Sequence, residues 1–73
     1  MRSDSEIFRD NIKRICKETN QRTTKVDALA GYYKGNAFAM AQRNAGVTTL
    51  HIKRYAKALG VKTDVLMEGI FND

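Results

Sequence analysis

Leu50-His51-Ile52-Lys53-Arg54-Tyr55-Ala56-Lys57-Ala58-Leu59-Gly60-Val61-Lys62-Thr63-Asp64-Val65-Leu66 is the part of this 73-residue chain where independent signals agree. Ile52, Tyr55, Ala56 and Leu59 stand at i, i+3, i+4 and i+7, the spacing of one helix face. Lys53, Arg54 and Lys57 fall on or beside the opposite face. Gly60 follows the last apolar position, where a left-handed residue ends a helix. Thr63 can cap a short further helix, with Asp64 suited to its N-terminus. Thr49 is the expected cap of the longer helix, with Leu50 as its first residue.

Upstream, Ala37-Phe38-Ala39-Met40-Ala41-Gln42-Arg43-Asn44-Ala45 is rich in helix formers, with Asn36 as its expected cap and Gly46 as its stop. Phe38 and Met40 are two apart, so one of them points partly outward or lies against a neighbouring element. Before it, Val26, Leu29, Ala30 and Tyr33 follow helical spacing behind Thr24-Lys25-Val26-Asp27, a capping box with Asp in place of Glu. Tyr33 is the expected buried tyrosine and Tyr32 the partly exposed one. Gly35 and Asn36 mark a turn. At the start, Ser3-Asp4-Ser5-Glu6 is a capping box, and Phe8, Ile12, Ile15, Cys16 and Thr19 form one apolar stripe continuous with Ile7. The expected helices are Asp4–Glu18, Lys25–Tyr32, Ala37–Ala45, Leu50–Leu59 and Asp64–Gly69. Ile70 and Phe71 then serve either as a plug for the core or as a dimer contact. The predicted fold class is all-α, a compact bundle of about five short helices in a single domain, 1–73.

The net charge is +5. Between Lys13 and Lys62 eleven basic side chains face only Glu18 and Asp27, while both ends of the chain are acidic. A basic middle between acidic ends points to a polyanionic partner. The bland alternative is a solvated Lys-rich surface. No apolar run approaches the ~20 residues that span a bilayer, and no secretory signal is visible, so a cytoplasmic location with no membrane partner is expected. The single cysteine, Cys16, excludes an intrachain disulfide framework and reads as a small core residue. His51 lacks a second ligand at useful spacing, so no metal site is expected. No nucleophile–base pairing and no phosphate-cradling glycine loop is present. Neither enzymatic activity nor a cofactor is expected.

Two successive short helices in a small basic domain form a candidate helix-turn-helix. The run Ile52-x-x-Tyr55-Ala56-Lys57-Ala58-Leu59-Gly60-Val61-x-Thr63-Asp64-x-Leu66 resembles the C-terminal half of the XRE/Cro-type helix-turn-helix domain of phage and bacterial repressors. Ile12 to Glu18 is similar to that family's opening helix, and the resemblance covers about residues 6–68. It implies a lambda-repressor-like five-helix domain that binds operator DNA, usually as a homodimer, with no small-molecule effector evident. In the best gapless register Leu29, Ala30, Tyr33 and Met40 match apolar, small-residue and core positions. Lys34 stands at the usual turn glycine, Gly35 at a usual apolar position, and Arg43 at another. The third helix is therefore either rotated relative to the family pattern or begins after a modified turn.

Carried onto this sequence, the resemblance makes Ala37 and Phe38 the first exposed positions of the third helix, facing thymine methyls. Gln42 is the base reader, able to pair bidentately with adenine. Lys34, Asn36, Arg43 and Asn44 surround that helix as phosphate contacts. Thr24 and Lys25 are placed at a phosphate beside the second helix, and Thr48, Thr49 and Lys53 at the backbone beside the fourth. Lys57 is expected to stay solvated. The expected function is a sequence-specific, double-stranded DNA-binding transcriptional regulator, small and repressor-like, from a phage, prophage or mobile element. The alternative is a protein-interaction module on the same fold: an antirepressor, an antitoxin-like partner or an inhibitor of a nucleic-acid enzyme.

Overall fold

The computed structural model describes residues 2–71. Five helices follow in chain order: α1 (Asp4–Glu18), α2 (Thr23–Leu29), α3 (Asn36–Gln42), α4 (Thr49–Leu59) and α5 (Thr63–Met67). The chain is all-helical over this range and builds one core from Phe8, Ile12, Ile15, Cys16, Val26, Ala30, Ala37, Met40, Val47, Ile52, Tyr55, Ala56, Leu59, Leu66 and Ile70. α3 lies against α1, while α2 and α5 pack on α4. No helix among these residues is long and apolar enough to cross a membrane.

α1 starts as its capping box requires. The Ser3 hydroxyl accepts the Glu6 amide at 3.3 Å, and the Glu6 carboxylate accepts the Ser3 amide at 3.2 Å. Those bonds from Ser3 hold the Glu6 carboxyl below its ordinary range. Asn11, polar yet buried, donates from Nδ2 to the carbonyls of Leu66 and Glu68 at 3.1 and 2.9 Å, tying the end of α5 to α1. Cys16 is buried in the core, and Ile70 plugs it from the other end, leaving Phe71 exposed.

Four caps differ from the sequence expectation, that of α3 being Gly35 and not Asn36. Thr24 does not cap α2: the cap is Arg22, without a side-chain bond, and the helix begins at Thr23. Thr48, not Thr49, caps α4, in a capping box whose third-position partner is His51. Thr63 is the first residue of α5 rather than its cap, which is Lys62. At the C-terminal ends, α2 stops at Leu29 and not Tyr32, because Gly31 turns left-handed at φ +89°. α3 stops at Gln42 and not Ala45, because Asn44 takes φ +53° two residues before Gly46. Gly60 ends α4 in the left-handed conformation, as expected.

The early end of α2 also overturns the expected burial of Tyr33. Helical spacing does not carry past Gly31, so Tyr33 swings out to 57% exposure. Tyr32 is partly exposed, as expected, with its ring stacked 5.4 Å from that of Tyr55. Leu29 is 60% exposed rather than core, because the inward face of α2 is Val26, Asp27 and Ala30. Thr19, placed in the apolar stripe by spacing, is exposed and donates its hydroxyl to the Ile15 carbonyl at 2.7 Å.

Candidate nucleic-acid interface

The exposed faces of α3 and α4 are held in place by one buried polar cluster. Asp27 is fully buried. Its carboxylate accepts the amides of Gly35 and Ala37 at 2.8 and 3.3 Å and the Tyr55 hydroxyl at 2.5 Å. Asn36 Nδ2 donates to the same Tyr55 oxygen at 3.0 Å. A carboxylate from α2 thus satisfies amides at the start of α3 and reaches α4 through a phenol. Burial, followed by the bond to Asp27, pushes the Tyr55 phenol well above its ordinary range. The rings of Phe8 and Tyr32 enclose it, edge-on at 5.2 Å and stacked at 5.4 Å.

This cluster settles which expected contact residues reach the surface. Asn36 and Ala37 do not. Asn36 is buried as the first residue of α3, and the cap is the left-handed Gly35. Ala37 is fully buried. Their spacing with Met40 and Ala41, at 36, 37, 40 and 41, is the inward stripe of a short helix. The outward stripe is Phe38 and Gln42, with Arg43 and Asn44 exposed just beyond. Of Phe38 and Met40, it is Phe38 that faces outward, and Met40 is core.

Thr24, Lys25, Lys34, Thr48, Thr49 and Lys53 are all exposed. Arg43 donates to the Tyr33 hydroxyl at 3.2 Å, joining the end of α3 to the α2–α3 connection. Thr48 is engaged with His51, whose Nδ1 accepts the Thr48 amide at 3.0 Å. Burial first, then the charges of Arg43 and Arg54, hold that imidazole below its ordinary value. The α4 cations divide. Arg54 and Lys57 line an open groove of about 520 Å³ with Leu29, Ala30, Gly31 and Ala58. Lys53 lines a smaller cleft toward α5, with Thr49, Ile52, Thr63 and Met67.

Two features escaped sequence reading. Arg9 and Lys13 of α1 lie over the Phe38 ring, at 6.0 and 5.6 Å from its centroid, and join the α3 surface. Only the packing of α3 on α1 reveals this. Asp27 escaped as a buried residue as well, because the stripe 26, 27 and 30 that holds it competes with the apolar spacing 26, 29, 30 and 33. Its withdrawal changes the electrostatics: from Thr19 to Thr63 eight cations, Arg22, Lys25, Lys34, Arg43, Lys53, Arg54, Lys57 and Lys62, are exposed, and no carboxylate is. No family model, curated protein or solved structure matches the chain.

Proposed function

We propose that this chain binds double-stranded DNA as a small transcriptional regulator, with α2 and α3 acting as a helix-turn-helix and α3 directed to the major groove. One observation carries the reading. Forty-five consecutive residues, spanning α2, α3 and α4, expose eight cations and no anion, because their single carboxylate is buried under α3. A surface of that kind attracts a polyanion, and phosphate contacts supply most of the affinity of such proteins. The outward stripe of α3 adds Gln42, whose amide can pair bidentately with adenine, and Arg43 beside it. The connection Ala30–Gly35 is longer than the three or four residues usual for this motif, with left-handed glycines at both Gly31 and Gly35. The extension from DNA binding to repression, and to a phage-like or mobile-element origin, rests on the resemblance to XRE/Cro-type domains. A homodimer on DNA rests on the same resemblance, supported by the exposed Val65, Met67 and Phe71 near the C-terminal end.

The test is fluorescence anisotropy with a labelled nonspecific duplex across a range of salt. With about six phosphates neutralised, the logarithm of affinity falls against the logarithm of salt with a slope near −5. Absence of binding at low salt contradicts the proposal. The second reading, an interaction module on the same fold, is favoured by Leu29, whose 60% exposure leaves apolar surface at the mouth of the Arg54–Lys57 groove. It predicts a protein partner whose binding is lost in Leu29→Ser while duplex binding, if any, is unchanged.

A further inference from the structure

Phe38 is a large apolar side chain left 41% exposed on the outward stripe of α3. The cations nearest its ring come from another helix. Lys13 Nζ is 5.6 Å and the Arg9 guanidinium carbon 6.0 Å from the ring centroid. Residues 9 and 13 are one turn apart along α1, beside the buried Phe8 and Ile12, and this register sets both against the α1–α3 seam. Arg9 is tied to Asp10 through Nε at 3.0 Å, which leaves the terminal nitrogens of the guanidinium outside that bond. Lys13 is exposed.

At the outer edge of the cation–π range and open to water, such contacts add little to stability. The trio matches two requirements of base reading instead. Thymine offers a methyl group in the major groove, which apolar side chains recognise by contact. Cations beside that contact fix its position by holding phosphates. Ala37 is buried and supplies nothing here, so Phe38 is the large apolar side chain on the outward face of α3.

We infer that Phe38, Arg9 and Lys13 form a thymine-reading clamp on the α1–α3 seam. The phenyl ring packs on a thymine C5-methyl group, and the two α1 cations hold the phosphates beside it. This deepens the duplex-DNA reading above and rests on it. It also enlarges the site from α3 alone to a surface shared by two helices.

The experiment compares a short A·T-rich duplex with the same duplex carrying deoxyuridine for thymine, which removes only the methyl groups. The wild-type chain binds the thymine duplex more tightly, by about fourfold for each methyl covered. Phe38→Ala binds the two alike, and Phe38→Leu retains part of the preference. Because Phe38 is exposed, both variants keep the helical circular dichroism of the wild type. The double variant Arg9→Gln, Lys13→Gln weakens both duplexes and makes the salt slope shallower by about two, with the methyl preference kept. Duplex binding without a methyl preference, or a preference that survives in Phe38→Ala, overturns the clamp while leaving duplex binding in place. Tighter binding of a thymidine single strand than of the duplex, lost in Phe38→Ala, overturns it in favour of base stacking. No duplex binding at low salt overturns both readings together.

Discussion

The buried carboxylate of Asp27 accepts the hydroxyl of Tyr55 at 2.5 Å, joining α2 to α4 beneath the first turn of α3. The same carboxylate holds the Gly35 and Ala37 amides. One side chain therefore sets the angle at which α3 leaves its turn, and with it the outward position of Phe38 and Gln42. It also removes the only negative charge from the α2–α4 surface. Scaffold and surface charge share a single cause.

Replacing Asp27 is correspondingly expensive. Asp27→Ala strands two amides and a phenol away from water, a loss of about 3 kcal/mol or more. A chain of this size is stable by about 4–11 kcal/mol in total, so the variant is largely destabilised. Tyr55→Phe removes one bond from Asp27 and one from Asn36 and costs about 1–2 kcal/mol. Urea denaturation of both single variants and the double variant checks this. The two losses are expected to be non-additive, since each deletes part of the other's partner set.

The Tyr55 phenol makes the fold sensitive to alkaline pH. Its ordinary value is 10.0, and burial, then the bond to Asp27, raises it in the folded state. Above pH 10 the unfolded chain releases this proton while the folded chain retains it. Stability from this group is thus complete below 10.0 and is lost as pH rises beyond it. Urea midpoints measured from neutral to alkaline pH should fall in that window. The fall should shrink in Tyr55→Phe.

His51 acts at the other end of the scale. Its imidazole is held below the ordinary 6.5 by burial, then by Arg43 and Arg54. As pH falls through 6.5 the unfolded chain takes up a proton before the folded chain does. Stability is therefore full above that value and declines below it. Protonation also removes the Nδ1 lone pair that accepts the Thr48 amide. His51→Gln, which keeps an acceptor and does not titrate, is expected to flatten the thermal midpoint between pH 7 and 5. Thr48→Ala should cost about 1 kcal/mol at neutral pH through loss of the cap.

Cys16 should report unfolding rather than react in the native state. Burial, then the charge of Asp27, raises its thiol above the ordinary 9.0, so both access and thiolate are scarce. Labelling by an aromatic disulfide reagent should be slow in native buffer and accelerate with urea in proportion to the unfolded fraction. Prompt labelling in native buffer would contradict the burial.

The scaffold was legible in the sequence where periodicity and punctuation coincide. Asp4–Glu18 and the Gly60 stop of α4 stand where spacing and capping rules place them. The misplacements of Leu29, Tyr33, Asn36 and Ala37 share a cause. Apolar spacing at 26, 29, 30 and 33 competes with a stripe at 26, 27 and 30 that contains a carboxylate, and the ordinary rule assigns charge to solvent. Burying Asp27 wins because three donors from distant positions meet it, which no local pattern encodes. With Asp27 inward, Leu29 turns outward, and the Gly31 turn carries Tyr33 out to solvent. Asn36 and Ala37 then belong to the core and not to the reading surface. Phe38, Gln42 and Arg43 remain exposed, as the sequence expectation required of contact residues. The α1 cations near Phe38 stayed hidden because a contact between helices is not written in either helix.

The central claim is that the α2–α4 surface meets duplex DNA with α3 at its centre. The direct measurement is a titration of the isotopically labelled chain with a nonspecific duplex at low salt, following each backbone amide. Shifts concentrated in residues 34–44, with weaker ones at Thr48, Thr49 and Lys53 and none around Asp64–Glu68, are the predicted result. No shifts at low salt, or shifts centred on the Leu29–Arg54–Lys57 groove with α3 silent, would contradict it.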